Sequence, residues 1–305
     1  MQEEIAINNS EMLPLQIGHT RTCSCAPSHI NCMTAKEWIK AQIGVWEFFY
    51  EKRDMRDKTI HPAVFPIALA KQVISLFTHK GELVIDPFVG VGTTLLAAKD
   101  IERNAVGFDL YQHYIDKCKE RLSQERLIDE TAQQLAFLDD AQNINHYFKR
   151  DTVSLAFTSP PYANLLNRPR LNKSRRGDLR KTNGQYLKVE QYGTDSRDLG
   201  LLSAEDYQEE MTNIFAAMLP MIKPKGHVVI NIPDMWWKDA DGVGKRVPLH
   251  IHIYHALTDA GYEFRNTIIW NRNNIVNKVG IFGWPSNYIT MGTTFEYILD
   301  FWKPK

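Results

Sequence analysis

Cysteine is scarce in this chain, with four in 305 residues, at positions 23, 25, 32 and 118. That number and spread suggest no disulfide framework, so reduced thiols and a cytoplasmic location are expected. Long apolar runs are missing as well: no segment approaches the roughly 18 residues of a membrane-spanning helix. Glu3 and Glu4 interrupt the start of the chain where a secretory signal would need an apolar stretch. Net charge is absent too, because 36 Lys and Arg balance 36 Asp and Glu. Global charge therefore argues neither for nor against a nucleic-acid partner. Cys23, Cys25, His29 and Cys32 offer a donor set for a tetrahedral ion, but Cys-x-Cys is unlike the usual Cys-x2-Cys knuckle. The reading is an irregular N-terminal arm over residues 1–33 that carries reduced cysteines and no metal.

What the chain does contain is a strand-like run, Val153 to Thr158, that enters Ser159-Pro160-Pro161-Tyr162. Two prolines fix φ and remove two backbone donors, so the chain leaves the sheet rigidly with carbonyl oxygens that lack local N–H partners. Ser159 adds a hydroxyl acceptor and Tyr162 an aromatic face. This set suits a planar ring held by stacking while its exocyclic NH2 donates into the loop. A plain Pro-Pro turn with a packing tyrosine is the alternative.

A second motif lies about seventy residues upstream. Leu83-Val84-Ile85-Asp86-Pro87-Phe88-Val89-Gly90-Val91-Gly92-Thr93-Thr94 reads as a buried strand, a glycine turn and a helix starting near Thr93. Glycines at 90 and 92 let backbone approach a ligand, but Leu95 stands where a dinucleotide fingerprint wants its third glycine. A nicotinamide dehydrogenase is thereby disfavoured. Ala105 to Asp109 forms a second strand ending in a carboxylate, the position that grips a ribose diol in such folds.

Periodicity organises the rest. Trp38, Ile39, Ile43, Trp46 and Phe49 recur at helical spacing and predict one packing helix over residues 34–50. Helices follow at Pro66–Phe77, Tyr111–Leu127 and, with Ser203 as N-cap, from Ala204 to about Ile222. Lys223-Pro224-Lys225-Gly226 reads as a turn into the strand His227–Asn231. A helix over Pro248–Ala260 and strands at Glu263–Trp270 and Glu296–Trp302 complete seven strands. Alternating strands and helices imply an α/β fold with a doubly wound, mostly parallel sheet.

These motifs together resemble the S-adenosylmethionine-dependent amino-methyltransferases of DNA, which act on N6 of adenine or N4 of cytosine. The resemblance rests on Asp86-Pro87-Phe88-Val89-Gly90-Val91-Gly92-Thr93-Thr94, Asp109 and Thr158-Ser159-Pro160-Pro161-Tyr162. Lys58 to Pro66 and Phe295 to Leu299 extend it. It implies a Rossmann-like catalytic domain over residues 34–305 with an antiparallel last strand and S-adenosylmethionine as cofactor. The cofactor's methionine end would be held by Lys58, His61, Pro62, Phe65 and the loop Asp86, Pro87, Phe88, Gly90, Gly92, Thr93 and Thr94. Its ribose would be held by Asp109, and its adenine by Asp140 in preference to Asp139. Ser159, Pro160, Pro161 and Tyr162 would be catalytic, with serine before Pro-Pro-Tyr favouring cytosine N4 over adenine N6. Cys118 falls in a helical stretch far from this loop, so attack by a cysteine at cytosine C5 has no candidate. The cofactor loop precedes Ser-Pro-Pro-Tyr here, unlike one common family arrangement.

Two stretches, 163–202 and 271–292, are too long for ordinary connections and read as DNA-contacting insertions. Between Arg168 and Lys188 eight basic residues face only Asp178, a net +7 that the remaining chain offsets. Arg168, Arg170, Lys173, Arg175, Arg176, Arg180 and Lys181 are the candidate contacts to phosphate or base. The partner expected is double-stranded DNA near the nucleoid, with a cognate restriction endonuclease acting on the same site. An RNA methyltransferase and a non-catalytic nucleic-acid-binding module are the readings from other classes.

Overall fold

The computed structural model describes residues 14–26, 28–57, 64–124, 132–163, 195–238, 244–272 and 293–305. In chain order the elements are α1 (Ala35–Ala41), β1 (Val45–Glu47), α2 (Lys52–Asp57), α3 (Ile67–Phe77), β2 (Leu83–Asp86), α4 (Thr93–Asp100), β3 (Asn104–Asp109), α5 (Gln112–Gln124), β4 (Gln134–Leu138) and β5 (Val153–Thr158). After them come α6 (Ala204–Met218), β6 (Ile222–Ile232), β7 (Met235–Lys238), β8 (Gly244–Val247), α7 (Leu249–Asp259), β9 (Glu263–Asn271) and β10 (Phe295–Trp302). Among the described residues no helix is long and apolar enough to cross a membrane.

The main sheet has eight strands in the order β1-β9-β10-β6-β5-β2-β3-β4, and β7 pairs with β8 in a separate hairpin. Only β10 runs against its neighbours, antiparallel to both β6 and β9. The seven expected strands and the reversed last strand are present, and β1 joins as an eighth at one edge, parallel to β9. All four residues of β2 and all six of β5 are buried, the pattern of central parallel strands covered on both faces. Chain order proceeds outward from β2 through β3 to β4 on one side, and through β5 to β6 on the other. The reversal lies between β2 and β5, and there the carboxyl ends of the strands open the crevice in which such sheets bind ligands.

Two local readings are corrected. Residues 34–50 are not one helix. α1, closed by a capping box between Thr34 and Glu37, stops at Ala41, and the Ile269 N–H reaches the Gly44 carbonyl at 2.9 Å, drawing Val45 to Glu47 into the sheet. Trp46 is buried opposite Trp270, whereas Ile39, Ile43 and Phe49 are exposed. Helical spacing of the aromatics is thus coincidental beyond Gly44, where strand pairing wins over local periodicity. In the second case, Lys223 to Gly226 lie within β6 instead of preceding it. Lys225 takes φ 62°, the register against β5 shifts, and the Lys225 N–H and Gly226 carbonyl pair with Lys303 at 3.0 and 2.9 Å. The proline and glycine bend the strand as a bulge rather than ending it.

The described part of the arm is almost wholly irregular, with one isolated bridge between Ile30 and Met33. It nevertheless packs on the body. Ile17 is buried in the core, the Leu15 N–H donates to Tyr147 at 2.9 Å, and the Thr22 N–H donates to Lys80 at 2.8 Å.

Candidate active site

Asp86 ends β2 and is 2 % exposed. Its carboxylate accepts the Phe88 N–H at 3.0 Å and the Thr94 hydroxyl at 2.6 Å. The acid therefore ties the start of α4 back to the strand and fixes the loop between them. Burial pushes its pKa up to about 6 despite those donors. Gly92, the residue before α4, has φ 85°, and a Cβ there would stand 2.4 Å from Cys118 Sγ. Here glycine is required twice, by conformation and by the helix packed beneath.

Asp109 ends the neighbouring strand β3. One oxygen accepts the Gly90 N–H at 3.0 Å and the other the Tyr111 N–H at 2.9 Å. Burial pushes its pKa up to about 7. Each oxygen of an ionised carboxylate has about two lone-pair sites, so both keep acceptor capacity for a vicinal diol. Beyond β4, Asp139 is already engaged by Asn143 Nδ2 at 2.8 Å and the Tyr147 hydroxyl at 2.6 Å. Asp140 caps the following turn through the Gln142 N–H at 3.0 Å, and one oxygen lies 3.9 Å from Arg197. Of the two acids Asp140 is the less committed.

On the other side of the switch point, Thr158 ends β5 and the chain passes through Ser159, Pro160 and Pro161 to Tyr162. Ser159 Oγ and the Tyr162 hydroxyl are 3.5 Å apart. Both line a cavity of about 270 Å³ whose wall includes Tyr50, Phe65, Asn231, Trp270 and Glu296. That is slightly below the usual range for small-ligand sites, about 300–1,000 Å³, and fits one heterocycle better than a dinucleotide. Asn231 Nδ2 donates to Glu296 at 2.7 Å, while Asn231 Oδ1 is buried without a partner among the described residues. Glu296 also holds Arg272 in an ion pair, and the Arg272 guanidinium lies 5.0 Å from the Trp270 ring centre.

A family model described as DNA methylase matches residues 23–120 and 153–305. The chain belongs to the DNA methylase family. Stretches of this chain are similar to curated relatives. It is 37 % identical over 81 residues to the Type II methyltransferase M.HpaI of Haemophilus parainfluenzae, covering 27 % of this chain and 26 % of that one. It is 47 % identical over 53 residues to the Type II methyltransferase M.HindIII of Haemophilus influenzae, covering 17 % of each. The chain thus spans about a quarter or less of the length of these two relatives. Among solved structures it is similar to TrmN from Thermus thermophilus, with a TM-score of 0.49 and 14 % identity over 82 % of this chain and 53 % of that one.

Of the candidate residues in the sequence, Asp86, Pro87, Phe88, Gly90, Gly92, Thr93, Thr94, Asp109 and Asp140 gather along the carboxyl ends of β2, β3 and β4. Phe65 reaches the cavity beside Tyr162 and packs against Phe157 at 5.2 Å between ring centres. Lys58, His61 and Pro62 lie outside the described residues, as do Arg168, Arg170, Lys173, Arg175, Arg176, Arg180 and Lys181, and most of both insertions. The end of the first insertion is described: Asp198 accepts the Tyr111 hydroxyl at 2.7 Å, bringing residues 195–198 beside the start of α5. Tyr50, Asn231 and Arg272 were not singled out as site residues by sequence reasoning. Asn231 near the end of β6 had a positional signal, since it is a polar residue at the carboxyl end of an apolar strand, but Tyr50 and Arg272 had none.

Proposed function

We propose that this methylase transfers a methyl group from S-adenosylmethionine to the exocyclic amine of a base rotated out of double-stranded DNA, with cytosine N4 as the target. The observation that carries the reading is the placement of two strand-end carboxylates, Asp86 buried and Asp109 half-buried, on one side of a topological switch point and an Asn-, Ser- and Tyr-lined cavity on the other. The donor set fits the cofactor. Asp109 retains acceptor capacity for the ribose hydroxyls, Asp140 is placed for the adenine amine, and the turn from Pro87 to Thr94 offers backbone to the amino-acid end. When bound, the cofactor supplies an electrophilic methyl on a sulfonium.

The chain's own residues supply position and acceptors. Rotating a base out of the duplex costs a few kcal/mol, and stacking on Tyr162 returns on the order of 1–3 kcal/mol. Exocyclic amines are weak nucleophiles because the lone pair is delocalised into the ring. Ser159 Oγ and the Pro160 carbonyl accept the two N–H groups, which lets the nitrogen pyramidalise toward the methyl. Rigid placement of these oxygens is the catalytic device. Serine at 159 before Pro160-Pro161-Tyr162 favours cytosine N4 by the resemblance, adenine N6 is the second reading, and the cavity volume admits either base. The Type II names of the relatives support a restriction-modification setting with a cognate endonuclease.

The test is transfer of radiolabelled methyl groups to duplex DNA and to structured RNA, with Tyr162→Ala as control. Labelled DNA with wild type, and loss of at least about 100-fold in the variant, supports the proposal. Label in RNA alone overturns it.

A further inference from the structure

Far from this crevice, Cys23, Cys25 and Cys32 converge on His79, not on His29. Cys23 Sγ lies 3.5 Å from Cys25 Sγ, and His79 Nδ1 lies 3.4, 3.6 and 3.4 Å from the sulfurs of Cys23, Cys25 and Cys32. All four donor atoms fall within 4.8 Å of one another, and the thiols are free. A zinc ion with bonds of about 2.3 Å to sulfur and 2.0–2.1 Å to nitrogen implies tetrahedron edges of about 3.8 Å between sulfurs and about 3.6 Å from sulfur to nitrogen. These four separations lie close to those edges and the two other sulfur pairs lie within 4.8 Å, so an ion at the centre needs only modest side-chain movements.

The surrounding backbone is built to present these donors. Asn31 and Cys32 both take positive φ, 49° and 69°, in a turn closed by reciprocal hydrogen bonds between Ile30 and Met33 at 2.9 and 2.8 Å. Two successive non-glycine residues in that region cost free energy and persist where something holds them. His79 is fixed by its N–H to Glu82 at 2.7 Å, and the adjacent Lys80 carbonyl receives the Thr22 N–H. Buried Arg103 links the two ligand-bearing segments, donating to the Thr78 carbonyl at 2.8 Å and reaching the Asn31 carbonyl at 3.5 Å. Three thiolates, a neutral imidazole and a divalent ion sum to one negative charge, which this guanidinium offsets.

We propose that Cys23, Cys25, Cys32 and His79 form a structural zinc site that clamps the N-terminal arm to the core just before β2. Four protein ligands close the coordination sphere and leave no position for substrate. His79 precedes the start of β2, whereas Asp86 ends it, so the ion stands at the opposite end of the strand from the crevice. The sequence motif Cys-x-Cys falls short of a metal signature because its fourth ligand is 47 residues beyond Cys32.

The test measures metal content of the full chain, purified without chelator, by mass spectrometry, and counts reactive thiols. The expected result is one zinc per chain. Three cysteines then react only after a chelator is added, while Cys118, fully buried, stays protected. His79→Ala should lower zinc content by about tenfold or more, His79→Cys should retain it because four cysteines also make a structural site, and His29→Ala should leave it unchanged. Cobalt substituted into the wild type should show the visible bands of a tetrahedral thiolate site. Zinc-free wild-type protein with three thiols reactive from the outset overturns the proposal, as does full zinc in a folded His79→Ala variant. A different metal at one per chain with the same dependence on His79 overturns the assignment to zinc. Because the thiol count needs only wild-type protein, a variant that fails to fold leaves the outcome decided.

Discussion

At Asp109 burial and two backbone donors act in opposite directions on one carboxylate, and burial prevails. Its folded pKa of about 7 lies above the ordinary value of about 3.9. Asp86 is raised in the same sense, to about 6. Such groups favour the folded state fully below about pH 4, and that contribution is lost as pH rises through the folded values. The ligand-free protein should therefore show a falling unfolding midpoint between about pH 4 and pH 7, and Asp109→Asn should flatten the trend. Cofactor affinity should move the other way, strengthening as pH rises through about 7 because the ionised form is the better acceptor. Calorimetry on Asp109→Asn should show affinity reduced by about 1.5–3 kcal/mol, the size of a hydrogen bond to a charged group, and little dependence on pH. Unchanged affinity would remove Asp109 from the ribose site. Gly92→Ala tests the turn itself. A new Cβ 2.4 Å from Cys118 Sγ at φ 85° should cost on the order of 1–3 kcal/mol in chemical denaturation. Combining it with Cys118→Ala should recover the steric part alone.

Among the elements, those that carry the site were the most legible. β2, the glycine turn, α4, β3 and β5 are specified by short apolar runs ended by glycine, proline or a carboxylate, local signals that tertiary contacts reinforce. β1 was not legible, since Trp38 to Phe49 keep helical spacing across Gly44 and only pairing with β9 reveals the strand. That pairing divides the aromatics sharply. Trp46→Ala should cost about 3–5 kcal/mol as a buried aromatic truncation, whereas Phe49→Ala, at 64 % exposure, should stay within about 0.5 kcal/mol. Urea titration of the two variants measures both, and equal losses would restore the single-helix reading. The bulge at Lys225 was hidden for a different reason: Pro-x-Gly ordinarily ends an element, and only the pairing to Lys303 keeps it in the ladder. Tyr50, Asn231 and Arg272 meet at the cavity from separate segments. Isolated polar residues with remote partners leave no local pattern to read. His79 was missed in the same way.

Over the whole molecule, charge is neutral in sum and concentrated in one window, Arg168 to Lys188 at net +7. On the proposed reading this window follows the phosphates. Arg175→Ala with Arg176→Ala should weaken DNA binding at low salt and lower the slope of log affinity against log salt by about 2, one unit per lost contact. An unchanged slope would place those arginines off the DNA. On the proposed reading the crevice at β2 and β3 takes the cofactor and the cavity at Ser159 to Tyr162 holds the amine of the base. Nucleoside mass spectrometry of DNA incubated with the protein and S-adenosylmethionine tests that union most directly. It should give N4-methylcytosine, absent with Tyr162→Ala. N6-methyladenine in its place would contradict the target base while leaving the amine chemistry standing, and 5-methylcytosine, or DNA without any added methyl group, would contradict the central claim.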